Sequence, residues 1–306
     1  MNSYVLITAA HDEEAFIERT CESVIAQTVR PLKWIVVDDA SADDTAGIVE
    51  RYQAKHRDLI ELVRVKRPPG RDFRHKVRAF DIGLERARDL PYSFVGNLDA
   101  DICLEADYYE RILSRFERDC ALGLAGGMVA SRIDGAFISQ NVALDSVAGA
   151  VQLFRRQCFE DVGGYLPLQH GGIDAAAEIM ARKSGWAVRT FADLHVLEHR
   201  RTGTATTDPL GARKREGKRL HSLGYGLPFF LARCLRRSLE RPRIIGSLAA
   251  LYGYANAAIH KDPILLPPDV VHYLRREQSG KLLRLLRLDR RTGRSPSSAR
   301  RRSALP

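Results

Sequence analysis

The sequence predicts an α/β protein whose core is a mainly parallel, doubly wound sheet flanked by helices. Short apolar, β-prone runs alternate with segments of helical hydrophobic period through the first half of the chain. Two acidic turns, Asp38-Asp39 and Asp99-Ala100-Asp101, fall at strand carboxyl ends, where such sheets bind ligands. At 306 residues the chain can bury a full core without disulfide or metal staples.

YVLITAA (Tyr4 to Ala10) makes the first strand. Behind it, DEEAFIERTCESVIAQT places Phe16, Ile17, Cys21, Val24 and Ile25 at helical intervals after an acidic first turn. KWIVVDDAS is the second strand, closed by a turn able to cap the helix ADDTAGIVERYQAKH. IELVRVKR is the third strand; Pro68, Pro69 and Gly70 then break the chain before the helix KVRAFDIGLERARD. YSFVGNLDAD returns to strand. From Leu122 the alternation loosens, and GLAGGMVAS, AVQLFRRQCFEDVGGY, the helix-like IDAAAEIMARKSG and the strand-like AVRTFAD are expected to extend the sheet and build a second cleft wall. Beyond His199 the text turns to mixed aromatic, apolar and arginine residues. Its longest uncharged run, Ile244 to Ile259, is shorter than the roughly 20 residues needed to span a bilayer. The ending RRTGRSPSSARRRSALP is basic, rich in Ser and expected to be disordered.

The formal net charge of +10 conceals an asymmetry. From Arg200 onward 24 Lys/Arg face 7 Asp/Glu, a charge of +17, which leaves −7 on the preceding residues. An acidic front with a basic rear argues against a simple nucleic-acid binder, whose positive charge surrounds its recognition motif. A basic, partly apolar tail suits an anionic membrane surface better. The five cysteines are odd in number, scattered and without CxxC or Cys/His spacing, which points to a reduced, cytoplasmic compartment rather than to disulfides or structural zinc. The apolar run near Met1 is short and has no basic leader, so it is expected to be a strand and not a signal peptide.

Asp99 and Asp101, at a strand end, admit two readings. They hold a hard divalent cation, Mg²⁺ or Mn²⁺, that bridges the phosphates of a nucleotide, or they simply form a turn. In sequence order, ITAAHDEEAFIERTCESVIAQT, WIVVDDASADDT, KVRAFDIGLERA, NLDADICLEADYYERIL and FRRQCFEDVGGY with GGIDAAAEIMARKSGW together resemble the family-2 glycosyltransferases, over residues 4 to about 200. The resemblance implies an inverting enzyme with the Rossmann-like, nucleotide-sugar-binding GT-A fold. It assigns a catalytic domain to residues 1–203, with a nucleotide-sugar half (1–120) and an acceptor and base half (121–203). A basic amphipathic helical extension (204–288) and the disordered tail (289–306) follow.

Residue by residue, the resemblance puts Asp39 against the nucleotide base, with Ala9, His11 and Glu13 of the first loop lying on base and ribose. Lys76 falls near the donor phosphates. Asp101 is the direct metal ligand, and Asp99 faces the ribose or a metal-bound water. The family usually has Asn where this chain has Asp81, and Tyr-Asn-Glu-Glu or similar where it reads His11-Asp12-Glu13-Glu14. Asp174 matches the Asp of the family's Glu-Asp base motif, while Ile173 replaces the Glu; Glu178, one helical turn on, is the reserve base. His199, and less so His195, either complete the metal shell or touch the diphosphate, or else belong to a solvated basic loop.

So assigned, the enzyme moves a sugar from a nucleoside-diphosphate sugar to an acceptor hydroxyl. Asp174 would take the hydroxyl proton, and the cation with Lys76 would stabilise the departing diphosphate. The rear either docks as a helical pair that closes the core or lies in the membrane interface, with Phe229, Phe230 and Leu231 inserted. The charge favours the second. The acceptor is then a lipid-linked saccharide at the cytoplasmic face of the inner membrane, in the assembly of cell-surface or exported polysaccharide. Two other classes compete. A sugar-nucleotide-forming nucleotidyltransferase would carry a Gly-rich loop where TAAHDEEA has no glycine. A nonenzymatic basic protein on membrane or nucleic acid leaves Asp39, Asp99, Asp101 and Asp174 without a purpose.

Overall fold

The computed structural model describes residues 3–66, 72–133, 136–139, 143–199, 208–238 and 243–292. The Pro68–Gly70 break, Arg200, Arg201, the boundary at 203 and the tail beyond Thr292 lie outside them. Strands β1 (Tyr4–Ala10), β2 (Lys33–Asp39), β3 (Ile60–Val65) and β4 (Phe94–Leu98) are parallel and stand in the order β3-β2-β1-β4. Helices α1 (Ile17–Ile25), α2 (Thr45–Lys55) and α3 (Arg74–Arg86) connect them. The chain winds outward from β1 to β3 and then returns to the other side of β1 with β4. That reversal opens a crevice at the carboxyl ends of β1 and β4, the place where doubly wound sheets accept ligands.

The second half of the sheet is mixed. β5 (Ile102–Leu104) and α4 (Tyr108–Arg118) precede β6 (Leu122–Ile133), which forms an antiparallel pair with β7 (Ala136–Ser139). β8 (Val151–Arg155) runs antiparallel to both β4 and β6. α5 (Arg156–Val162) and α6 (Ile173–Lys183) lead to β9 (Ala187–Glu198), parallel to β6, and β5 pairs antiparallel with the far side of β9. β9 is longer than the sequence suggests, so His195 lies within it, opposite Met128, rather than after it.

Alternate residues of the buried strands serve opposite faces, which is why the strands read as continuous apolar runs. Tyr4, Leu6, Trp34 and Val36 pack with α1, α2 and α4 residues such as Cys21, Val49, Tyr109 and Phe116. Val5, Ile7, Ile35 and Val37 pack with Phe80, Phe154, Phe159 and Tyr165 on the other side. Each large apolar side chain so buried contributes roughly 1.5–3 kcal/mol.

The C-terminal helices are α7 (Pro209–Ser222), α8 (Leu227–Arg237), α9 (Arg243–Ile259) and α10 (Pro268–Thr292). Leu223, Leu266, Val270, Val271 and Leu274 join the second core, and Arg182 on α6 pairs with Glu277 on α10 at 3.3 Å. Phe230, expected to insert into a membrane, is instead buried and stacked on Tyr254 with ring centroids 4.4 Å apart. The reason is local: Phe230 falls on the face of α8 that meets α9, in a small core of its own with Leu220 and Ala250.

Candidate active site at the carboxyl edge of the sheet

The loops after β1 and β2 are fastened to each other by side-chain to main-chain hydrogen bonds. Asp12 N–H donates to Ser41 Oγ (3.1 Å), Glu13 N–H to Thr45 Oγ1 (2.7 Å) and Glu14 N–H to Asp43 Oδ2 (3.0 Å). In return Ala42 N–H donates to Asp12 Oδ1 (2.8 Å) and Asp44 N–H to Glu14 Oε2 (2.9 Å). Asp12 and Ala40 take left-handed φ values of 54° and 58°, sharp corners that non-glycine residues adopt only when their surroundings insist. This lattice explains why both loops are acidic and why the second carries Ser41 and Thr45, and it joins the loop that follows Ala9 and holds His11 and Glu13 to the loop that follows Asp39. Asp39 is buried at the end of β2, and the buried His11 Nδ1 has no hydrogen-bond partner among the described residues.

α3 and β4 supply the next pieces. Lys76 Nζ donates to Asp99 Oδ1 at 2.5 Å, and Asn97 Nδ2 donates to the same oxygen at 3.2 Å and to Gly149 O at 2.6 Å. Burial disfavours the Lys76 ammonium. The pull of Asp99, the bond to it, and the fields of Asp174 and Asp101 outweigh that cost and hold Lys76 above its ordinary range. One ammonium therefore senses all three carboxylates singled out in the sequence. Lys76, Asp99 and Asp174 line a single cavity of about 450 Å³.

Asp174 reaches that cavity because the turn before α6 is made of two glycines, Gly171 and Gly172, at φ 78° and 88°. Its carboxylate lies against Gly149, where an added Cβ would sit 3.0 Å from Asp174 Oδ2, so a larger residue there would press on the Asp174 side chain. Glu178 has a different place. It is buried, and its Oε1 accepts from Val147 N–H (2.8 Å) and Ser146 Oγ (3.1 Å), fixing the stretch that forms one cavity wall. Among the residues it brings to the cavity itself, the structure includes Asp174 and not Glu178.

Asp101 follows β4 and is not among the residues that line the cavity. Its carbonyl accepts from His199 N–H at 3.0 Å. The His199 ring lies between Arg19 Nη1 (3.4 Å from Nδ1) and Cys103 Sγ (3.1 Å from Nε2). Among the described residues no three His, Cys, Asp or Glu side chains converge as a metal centre. Asp81 stands on a separate hollow with Arg74 and Arg78. Sequence reasoning missed Gly149, the buried Gln152–Tyr165 pair (2.7 Å) and Arg219 of α7, all of which line the cavity. None carries a local signal; each is brought there by tertiary approach.

The profile of Glycosyl transferase family 2 matches residues 5–164, which hold β1 through α5 and the Lys76–Asp99 pair. The chain belongs to glycosyltransferase family 2. Among curated relatives, the poly-β-1,6-N-acetyl-D-glucosamine synthase of Staphylococcus aureus is 24% identical over 182 residues, covering 53% of this chain and 42% of that protein. This glycosyltransferase-family chain thus spans less than half the length of that relative. Two solved structures share the GT-A fold. S. aureus TarS 1–349 in complex with UDP-GlcNAc superposes with a TM-score of 0.58 at 16% identity, covering 95% of this chain and 92% of that one. The Pyrobaculum calidifontis mannosyltransferase PcManGT, in complex with GDP-Man and Mn²⁺, gives 0.56 at 19% identity over 94% and 82%.

Burial pushes the Glu178 carboxyl up to about 7 from an ordinary 4.5, with the neighbouring Asp174 adding to the rise and the bonds from Val147 and Ser146 and the charge of Arg182 opposing it. A carboxyl whose folded value is raised stabilises the fold fully below its unfolded value and loses that contribution as pH climbs through the folded one. Glu178→Gln keeps an oxygen for Val147 and Ser146 but cannot ionise. Denaturant unfolding at a series of pH values should show the variant gaining on the parent by roughly 2–4 kcal/mol between pH 4.5 and pH 8. A stability difference that does not change with pH would remove Glu178 as a buried titrating group.

Proposed function

We propose that this chain is an inverting glycosyltransferase that transfers a sugar from a nucleoside-diphosphate sugar to an acceptor hydroxyl, with a lipid-linked saccharide as the acceptor. The observation that carries the reading is the single cavity holding both the Lys76–Asp99 pair and Asp174. The joined loops after β1 and β2, with Ala9, His11, Glu13 and Asp39, are assigned to the nucleobase and ribose, and solved relatives of the same fold hold UDP-GlcNAc or GDP-Man. Lys76, kept as an ammonium by its carboxylate neighbours, is a donor for diphosphate oxygens. Asp174, the carboxylate aimed into the cavity from the start of α6, orients the acceptor hydroxyl and takes its proton as the oxygen attacks the anomeric carbon opposite the leaving group.

The donor set fits a hard cation. The carboxylates of Asp99 and Asp101 both act on Lys76 through their charge, and Mg²⁺ or Mn²⁺ is commonly held by one or two carboxylates with phosphate oxygens and water completing the shell. Asp101 and Asp99 would hold it, with His199 adjoining Asp101. Such a cation supplies positive charge against the leaving diphosphate.

Asp174→Asn is the direct test. Calorimetric binding of a donor nucleotide should be retained, while turnover falls by about 10²–10⁴, the range of a lost general base. Near-normal turnover would take the role away from Asp174.

Membrane association is supported by α9. One face, Gly246, Ala250, Gly253 and Ala257, is buried, whereas Ile244, Ile245, Leu248, Tyr252 and Ile259 on the opposite side are each more than half exposed. A helix apolar on both its packed and its exposed side, beside exposed Arg236 and Arg243 in a basic region, has the make-up of an interfacial element. No helix among the described residues is long and apolar enough to cross a membrane. The full chain should co-sediment with vesicles containing phosphatidylglycerol, and Ile245→Asp with Leu248→Asp should weaken that at least about tenfold without loss of nucleotide binding. A parent chain that stays in the supernatant rules the association out.

A further inference from the structure

α7 brings a guanidinium to the catalytic cavity. Arg219 lines it together with Phe73, Gly172 and Asp174, and its stem lies on the turn that launches α6: an added Cβ at Gly172 would be 3.2 Å from Arg219 Cδ. Two other glycines set its position. A Cβ at Gly217 would meet Ala250 O at 1.9 Å, and one at Gly253 would meet Lys214 O at 2.0 Å. The backbones of α7 and α9 therefore touch where no side chain fits, two residues before Arg219.

The surrounding arginines already have partners. Arg213, Arg233 and Arg237 converge on Glu216, Arg275 donates to Gly224 O, and Arg182 pairs with Glu277. The half-buried Arg219 makes no side-chain hydrogen bond or ion pair with another described residue. A planar cation with five donors, held on a cavity wall and not ion-paired to another described residue, matches the oxygens of a phosphate group. Lys76 already serves the Asp99 side, whereas Arg219 sits over the start of α6, beside the carboxylate assigned to the acceptor.

We propose that Arg219 binds a phosphoryl group of the acceptor, so that the C-terminal helices complete the active site and select acceptors that carry phosphate. This rests on the transferase reading above. Donor and acceptor phosphates share the same chemistry, so the full chain is titrated calorimetrically with two kinds of probe: UDP or GDP in the presence of Mn²⁺, and citronellyl diphosphate, a short soluble prenyl diphosphate. Arg219→Ala should weaken citronellyl diphosphate at least about tenfold and leave the nucleotides unchanged, and Arg219→Lys, which keeps the charge but not the fork, should recover only part of the loss. Arg219→Gln, with thermal melting to confirm folding, separates lost binding from lost structure.

Weakened nucleotide binding with intact prenyl diphosphate binding would overturn the acceptor assignment. The proposal also fails if neither probe responds to Arg219, or if the parent chain binds no phosphate compound. Arg219-dependent prenyl diphosphate binding by a parent chain that binds neither UDP nor GDP would uphold the site and count instead against a UDP- or GDP-linked donor.

Discussion

The Lys76–Asp99 ion pair sets the charge of the crevice, and the rest of the site depends on it. Asp99, Asp101 and Asp174 all act on one ammonium, whose positive charge offsets part of their mutual repulsion. With it, Asp99 is pinned by Lys76 and Asn97, and Asn97 ties β4 to the backbone at Gly149, the residue against which Asp174 lies. A chain of direct contacts thus runs from the end of a central strand to the residue proposed as base. It links two walls that come from widely separated parts of the sequence.

Much of this was legible before any coordinates. The strands β1 to β4 and their helices have unambiguous periods, and the acidic pairs Asp38-Asp39 and Asp99–Asp101 fall at the carboxyl ends those periods define. Asp174 was legible through the resemblance to the family's Glu-Asp motif, although Ile173 stands in place of the Glu. The structural role of Glu178 was not. Both sit on α6, one turn apart, and only the approach of Val147 to α6 turns Glu178 into an anchor for the cavity wall. The mixed half of the sheet was likewise hidden, because β5 is three residues long and its partner β9 is distant in sequence.

The basic rear was read from its charge, but its arrangement comes from its small residues. Gly217, Gly253 and Ala250 let α7 and α9 meet backbone to backbone, which buries Phe230 and leaves Ile245 and Leu248 outward. Composition alone gave Phe230 and Leu231 the same standing. Helical phase separates them: Phe230 turns toward Tyr254, whereas Leu231 is exposed. The extension is therefore continuous with the core through Leu223, Val271 and Leu274 while presenting an apolar face of its own.

The central claim is that a donor diphosphate and the proposed base share the crevice organised by Lys76. Anomalous diffraction at the manganese edge, from crystals soaked with Mn²⁺ and a nucleoside diphosphate, tests it most directly. The account predicts a metal peak against Asp101 and Asp99, with the diphosphate on Lys76 and its free end directed to the cavity that Asp174 lines. A peak elsewhere, or a diphosphate bound outside that cavity, would contradict it.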